Sequence, residues 1–256
     1  MTWVSYAQFL EDIHLMRALV GVHHEEGFYI DVGAWDPEFD SVTKLFYDAG
    51  WRGVNVEPSP SCFRRLAEQR PRDINLSVVV AETTGKVAFY DDEQGQLGTT
   101  VEKIVDVHQS EGRMQKHATI VEAVTLTDIC DRYAPEQIHF LKIDVEGAEF
   151  SVLKGMNFKK YRPWILCIES HFPNRPDQQT YDEWESHVLG QRYDFVYTDL
   201  INRYYVAEEH GDRAKAFAVP IDFYIPAKDV RHVARLEERI RELEDKLASI
   251  GKIVGG

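Results

Sequence analysis

Phe28-Tyr29-Ile30-Asp31-Val32-Gly33-Ala34 is an apolar run that ends in an acid and a single glycine. Two later runs end in a similar way. Gly53-Val54-Asn55-Val56 leads into Glu57-Pro58, and Phe140-Leu141-Lys142-Ile143 leads into Asp144-Val145-Glu146-Gly147-Ala148-Glu149. Short apolar runs bounded by turn residues read as buried strands, so three predicted strands each stop at a carboxylate. In an open α/β sheet, ligands bind beyond the strand C-termini. A carboxylate at the end of the second strand can accept both hydroxyl hydrogen bonds of a ribose diol, each worth ~1.5–3 kcal/mol. The pattern predicts a nucleoside-containing cofactor.

The first turn narrows the choice. A dinucleotide needs Gly-x-Gly-x-x-Gly, because its pyrophosphate must approach bare backbone at a helix N-terminus. Asp31-Val32-Gly33-Ala34-Trp35-Asp36-Pro37-Glu38 has one glycine and three acids. A pyrophosphate there would meet like charge in a low dielectric. S-adenosylmethionine carries a sulfonium and an ammonium and no phosphate, so an acidic turn suits it. The competing nicotinamide-dependent oxidoreductase requires the glycines that are missing. A plainer reading makes Asp31 a cap for a helix starting near Ser41, but it leaves Glu57 and Asp144 as coincidence.

A chain of 256 residues fits one α/β domain with an appendage. The net charge of −14 argues against a nucleic-acid partner and against anionic membrane surfaces. Cys62, Cys130 and Cys167 are widely spaced and odd in number, matching neither a disulfide framework nor a zinc pattern. No apolar run reaches the ~18 residues of a membrane span, and no signal peptide is read at Met1-Thr2-Trp3-Val4. The expectation is a cytoplasmic protein.

Apolar spacing predicts a helix from Ser5, as its cap, to Val20, and another from Ser41 to Ala49 closed by Gly50. Strands are expected over 27–33, 53–57, 75–80, 86–90, 138–144 and 164–169, with a hairpin over 194–206. Residues 101–120 lack firm periodicity. Thr125 starts the helix before the 138–144 strand. Val233, Leu236, Ile240, Leu243, Leu247 and Ile250 recur at spacings of 3, 4, 3, 4 and 3, a coiled-coil seam. This divides the chain into a domain over 1–228 and a C-terminal heptad helix and tail over 229–256. That helix packs either on its own domain or on a second copy in a homo-oligomer.

Tyr29-Ile30-Asp31-Val32-Gly33-Ala34, Gly50-Trp51-Arg52-Gly53-Val54-Asn55-Val56-Glu57-Pro58, Thr125-Leu126-Thr127-Asp128 and Leu141–Glu149 occur in the order and spacing of the FkbM-type methyltransferases. Ser5-Tyr6-Ala7-Gln8 and Asn202-Arg203-Tyr204-Tyr205-Val206 also resemble bacterial members, so the resemblance covers about residues 5–225. It implies a class I, Rossmann-like fold, an open sheet of seven strands with helices on both faces. It also implies O-methylation of sugar or natural-product hydroxyls with S-adenosylmethionine. By motif position, Asp31 and Gly33 line the methionine part of the donor and Glu57 holds the ribose. Ala34, Pro58 and Asp144 complete the expected cofactor wall. Trp35-Asp36-Pro37 and Leu97-Gly98-Thr99-Thr100 depart from the turns common in the family.

Methyl transfer to a hydroxyl needs an aligned oxygen and a base or cation beside it. Asp144 and Glu169-Ser170-His171 stand at adjacent strand ends. Asp144, Glu169 and His171 could hold Mg²⁺ or another divalent cation. Alternatively His171 is a general base whose ring Glu169 or Asp144 orients. A third reading makes Asp144 a helix cap and Glu146 and Glu149 the acids of that helix's first turn. His108, His117, Tyr197, Asp199 and Asn202 are candidates to face the acceptor. The expected activity is O-methylation of a sugar or oligosaccharide, such as a bacterial polysaccharide precursor giving a methylated mannoside. The alternatives are a non-sugar natural-product hydroxyl or a non-catalytic interaction subunit.

Overall fold

The computed structural model describes residues 3–92, 95, 97–114, 117–172, 175–221 and 224–226, with Ile240 apart. Seven strands form one sheet: β1 (Phe28–Val32), β2 (Arg52–Val56), β3 (Ile74–Leu76), β4 (Phe140–Ile143), β5 (Ile165–Glu169), β6 (Tyr193–Thr198) and β7 (Asn202–Ala207). Their order is β6-β7-β5-β4-β1-β2-β3. β1 to β5 run parallel, and only β7 is reversed against its neighbours. The strand order turns back at β1, between β2 and β4, which puts a crevice beyond their C-terminal ends.

Alternation along the strands builds the core on both faces of the sheet. Phe28, Ile30 and Val32 pack on one side with Val54, Val56, Leu141, Ile143, Leu166 and Ile168. Tyr29 faces the other side with Phe46, Trp51, Phe140, Ile165 and Tyr204. Asp31 shares the Tyr29 side by parity, so its buried carboxyl requires a partner there.

The first helix is shorter than its periodicity predicts, running over Glu11–Ala18. Ser5 does not cap it. The Asp12 carboxylate instead gathers the Ser5 hydroxyl (2.8 Å) and the N–H groups of Tyr6 (2.7 Å), Ala7 (3.3 Å) and Ile13 (2.8 Å). That clasp folds residues 5–10 over the helix start, with Leu10 left-handed at φ 69°. The predicted strand over 75–80 splits, its second half (Val79–Val80) joining Gly85–Tyr90 and Ala118–Val124 in a separate three-stranded sheet. The unreadable stretch holds a helix over Glu102–Ser110. Thr125 caps Leu126–Tyr133 through a reciprocal bond with Asp128, as expected. The β6–β7 hairpin forms, with Asp199 accepting from the N–H groups of Ile201 (2.8 Å) and Asn202 (2.7 Å) to set its turn. Apart from Ile240, the expected C-terminal heptad helix lies outside the described residues.

Candidate active site

Asp31, Gly33, Ala34, Glu57, Pro58 and Asp144 all line one cleft at the ends of β1, β2 and β4, of ≈ 1000 Å³ including its open mouth. Backbone contact makes this convergence possible. A Cβ on Gly33 would lie 1.7 Å from the Asp144 carbonyl oxygen, and its φ is +82°. Only glycine lets the two strand ends meet there. The N–H groups of Gly33 (3.0 Å) and Ala34 (3.2 Å) donate to the Val56 carbonyl, and the Asp144 N–H donates to Val32 (3.0 Å). The turn is thus tied to both flanking strands.

Glu57 is buried, and each of its oxygens accepts one backbone N–H, from Trp35 (2.8 Å) and from Ser59 (2.8 Å). Burial pushes its carboxyl up to about 7, against those two bonds. Trp35 sits at a left-handed φ of 47°, turning at the position where the sequence departs from the family pattern. Gly98, Thr99 and Thr100, the other departure, line the same cleft.

Lys142 is a site residue that strand-end reasoning overlooked. Its Nζ donates to the Gly33 carbonyl (2.6 Å) and lies 3.4 Å from both Asp31 and Asp144. Burial disfavours its charge, but Asp144 and Asp31 outweigh burial and hold it protonated. Asp31 also accepts from the Thr43 hydroxyl (3.1 Å), where the Lys44–Asp48 helix begins. Asp31 therefore supports the helix start indirectly while pairing with Lys142. The signal was present, because a lysine inside a buried strand needs an anion beside it, and Asp31 and Lys142 are register partners.

Asp144 is the accessible acid of the group, its side chain 31% exposed. Glu169 is buried beside it. Burial, followed by the nearby Asp144, Glu146 and Glu149, raises the Glu169 carboxyl well above the usual carboxylate range. Glu149 takes a structural part, accepting from Val145 (3.1 Å) and Gly147 (3.0 Å) in the first turn of its helix.

The expected divalent-cation site departs from this geometry. Among the described residues no three His, Cys, Asp or Glu side chains are placed to hold a metal ion. His171 lies outside the cleft, its Nδ1 3.1 Å from the Ile201 carbonyl and 3.2 Å from the Ser170 hydroxyl. The hairpin turn therefore orients this ring through Ile201, and neither expected carboxylate does so. His108 is buried in its helix and His117 is exposed, and neither lines this cleft or the second cavity beside it. Asn202 is buried and joins Glu11 (3.0 Å) to Asp199 (3.3 Å). Tyr197 and Asp199 line a second cavity that shares Gln8 and Asp40 with the cleft.

A seven-stranded sheet with one reversed strand and a glycine-pinned acidic crevice defines a methyltransferase-type α/β protein. The chain matches the methyltransferase FkbM domain over residues 31–197, more than half of its length, and belongs to that family. Family membership makes it a methyltransferase and implies S-adenosylmethionine as its donor. Among solved structures it is similar to the Methanococcus jannaschii fibrillarin pre-rRNA processing protein, at 11% identity and a TM-score of 0.39, covering 78% of this chain and 76% of that chain. No curated protein matches the sequence. All three cysteines are buried and none is in a disulfide, and among the described residues no helix is long and apolar enough to cross a membrane.

Proposed function

We propose that the protein is an O-methyltransferase that acts on a hydroxyl of a sugar or oligosaccharide, with S-adenosylmethionine as donor. The observation that carries this reading is the convergence of Asp31, Glu57 and Asp144 on one crevice pinned by Gly33. The crevice fits the donor. A side chain at Gly33 would push the Asp144 strand end away and spoil the cradle, and the acids suit a cation. When bound, the donor supplies an electrophilic methyl on sulfur. A C–O bond to the acceptor forms, the S–C bond breaks, and the hydroxyl proton must leave. Glu57, held by Trp35 and Ser59, keeps a free lone pair on each oxygen for the ribose hydroxyls. Asp31 and Lys142 form the floor and fix Gly33. Asp144 accepts the acceptor's proton, with the buried Glu169 beside it. The arrangement of Asp144, Glu169 and His171 does not fit a metal.

Calorimetry with S-adenosylhomocysteine tests the donor reading, and absence of binding would overturn it. A screen of mannosides and related glycosides, read by mass spectrometry for methyl gain, tests the acceptor. Methylation of none of them, with other hydroxyl compounds methylated, would move the reading to a non-sugar natural product.

A further inference from the structure

The second cavity has a ligand chemistry of its own. It encloses ≈ 2260 Å³ including its mouth, and meets the donor cleft at Gln8 and Asp40. Asp40 sits at a left-handed φ of 48° there. The wall comes from the clasped 5–10 segment, the β6–β7 turn and residues 217–221. His14 anchors it. This ring is 5% exposed, centred 4.5 Å from Tyr197 and stacked 6.1 Å from Phe217. Its Nδ1 is itself buried without a hydrogen-bond partner, and burial pulls its pKa down to about 4, so the ring serves as a neutral aromatic wall. Among the described residues no protein group hydrogen-bonds the Tyr197 hydroxyl, which lines the same space. At the rim, Leu200 and Val219 are 64% and 54% exposed.

The charges point one way. No described Lys or Arg lines this cavity, whereas Asp40 and Asp199 do. The described cations at its margin are engaged elsewhere, Arg17 on the Val219 (2.9 Å) and Pro220 (3.3 Å) carbonyls and Lys44, over the Tyr6 ring, on Asp48, so a phosphate would meet mainly like charge in a partly desolvated pocket. Aromatic faces and exposed aliphatic side chains attract an apolar body, and neutral polar atoms among them orient hydroxyls. We infer that this cavity binds an uncharged acceptor that joins a hydroxyl-bearing ring to an apolar or aromatic group, as in an alkyl or aryl glycoside, and that it rejects sugar phosphates and nucleotide sugars. Calling the ligand an acceptor rests on the methyltransferase reading. The shape and charge of the cavity do not.

Phenyl α-mannoside and mannose 1-phosphate serve as probes on the full chain, with binding followed by ligand-observed NMR titration. The phenyl glycoside is expected to bind and the phosphate to bind at least tenfold more weakly. Tyr197→Ala and Leu200→Asp should each weaken the glycoside at least tenfold, and His14→Phe, which keeps the ring packing, several-fold. Affinity for S-adenosylhomocysteine should stay within twofold in the Leu200→Asp protein, whose altered side chain lies at the surface. No glycoside binding, equal affinity in wild type and Leu200→Asp, or tighter binding of the phosphate would overturn the assignment. Glycoside binding with this variant pattern in a protein that fails to bind S-adenosylhomocysteine would uphold the cavity and remove the donor reading.

Discussion

Burial raises the Glu57 carboxyl to about 7, because each oxygen exchanges water for a single backbone N–H. Ribose hydroxyls donate best to the ionised form, so donor affinity should fall as pH drops below that value, approaching tenfold per unit. Glu57→Gln should bind S-adenosylhomocysteine roughly 10–100-fold more weakly, from the loss of charge-assisted bonds worth ~1.5–3 kcal/mol each, and with a flat pH profile. Titration calorimetry at several pH values checks both, and an unchanged affinity would remove Glu57 from the ribose. Asp144 has a different expected signature. Asp144→Asn should lower kcat by about 10²–10⁴ if it accepts the hydroxyl proton, a larger effect than the weakening of donor binding expected from its place in the cleft wall. A kcat within a few-fold of wild type in a steady-state assay would end that role. His171→Gln should leave kcat nearly unchanged, since the residue lies outside the cleft.

The junction of β1 and β4 carries the constraint that places these side chains. Gly33→Ala puts a methyl onto the Asp144 carbonyl at a left-handed φ, so the two strand ends must separate. Loss of donor binding is expected, together with a lowered melting temperature. Lys142→Met leaves Asp31 buried without its ion pair, a change that costs about 3–5 kcal/mol and is measurable by urea unfolding. Asp31→Asn in the same background should recover part of that loss. Much of this junction was legible from sequence. A strand ending in an acid is a local signal, and three of them in order define a parallel sheet edge. The β6–β7 hairpin and the Thr125 cap were readable for the same local reason. Lys142 was missed because its partner Asp31 is distant in sequence, and only the register brings them together. The extra length predicted for the first helix came from its apolar spacing. Asp12 overrides that spacing by drawing the backbone N–H groups of residues 6 and 7 out of helical geometry. His171 stands at a strand end as its sequence position predicts, but strand position does not predict which way a ring turns, and this one turns its Nδ1 to the Ile201 carbonyl.

Across the protein, buried carboxyls are shifted upward together. Burial raises Glu11 to about 8, Asp12 to about 6, and Glu57 and Glu149 to about 7. Each folded pKa lies above its unfolded value, so between the two the native state binds more protons than the unfolded chain. Stability then decreases as pH rises through that interval, by ~1.4 kcal/mol per unit for each group still shifting. The net charge of −14 adds self-repulsion in the same direction at alkaline pH. Scanning calorimetry should find a higher melting temperature near about pH 5.5 than near about pH 8.5. The opposite slope would mean these acids are ionised in the folded protein. One pairing at the edge of the fold bears on how the gene is best handled. Trp3–Ser5 lies parallel to Tyr224–Pro226, with Ser5 opposite Pro226. A stop codon placed right after Pro226 removes the heptads and keeps this ribbon, whereas one after Ile221 frees Ser5 from its strand neighbour. Trimmed expression vectors should keep the longer boundary.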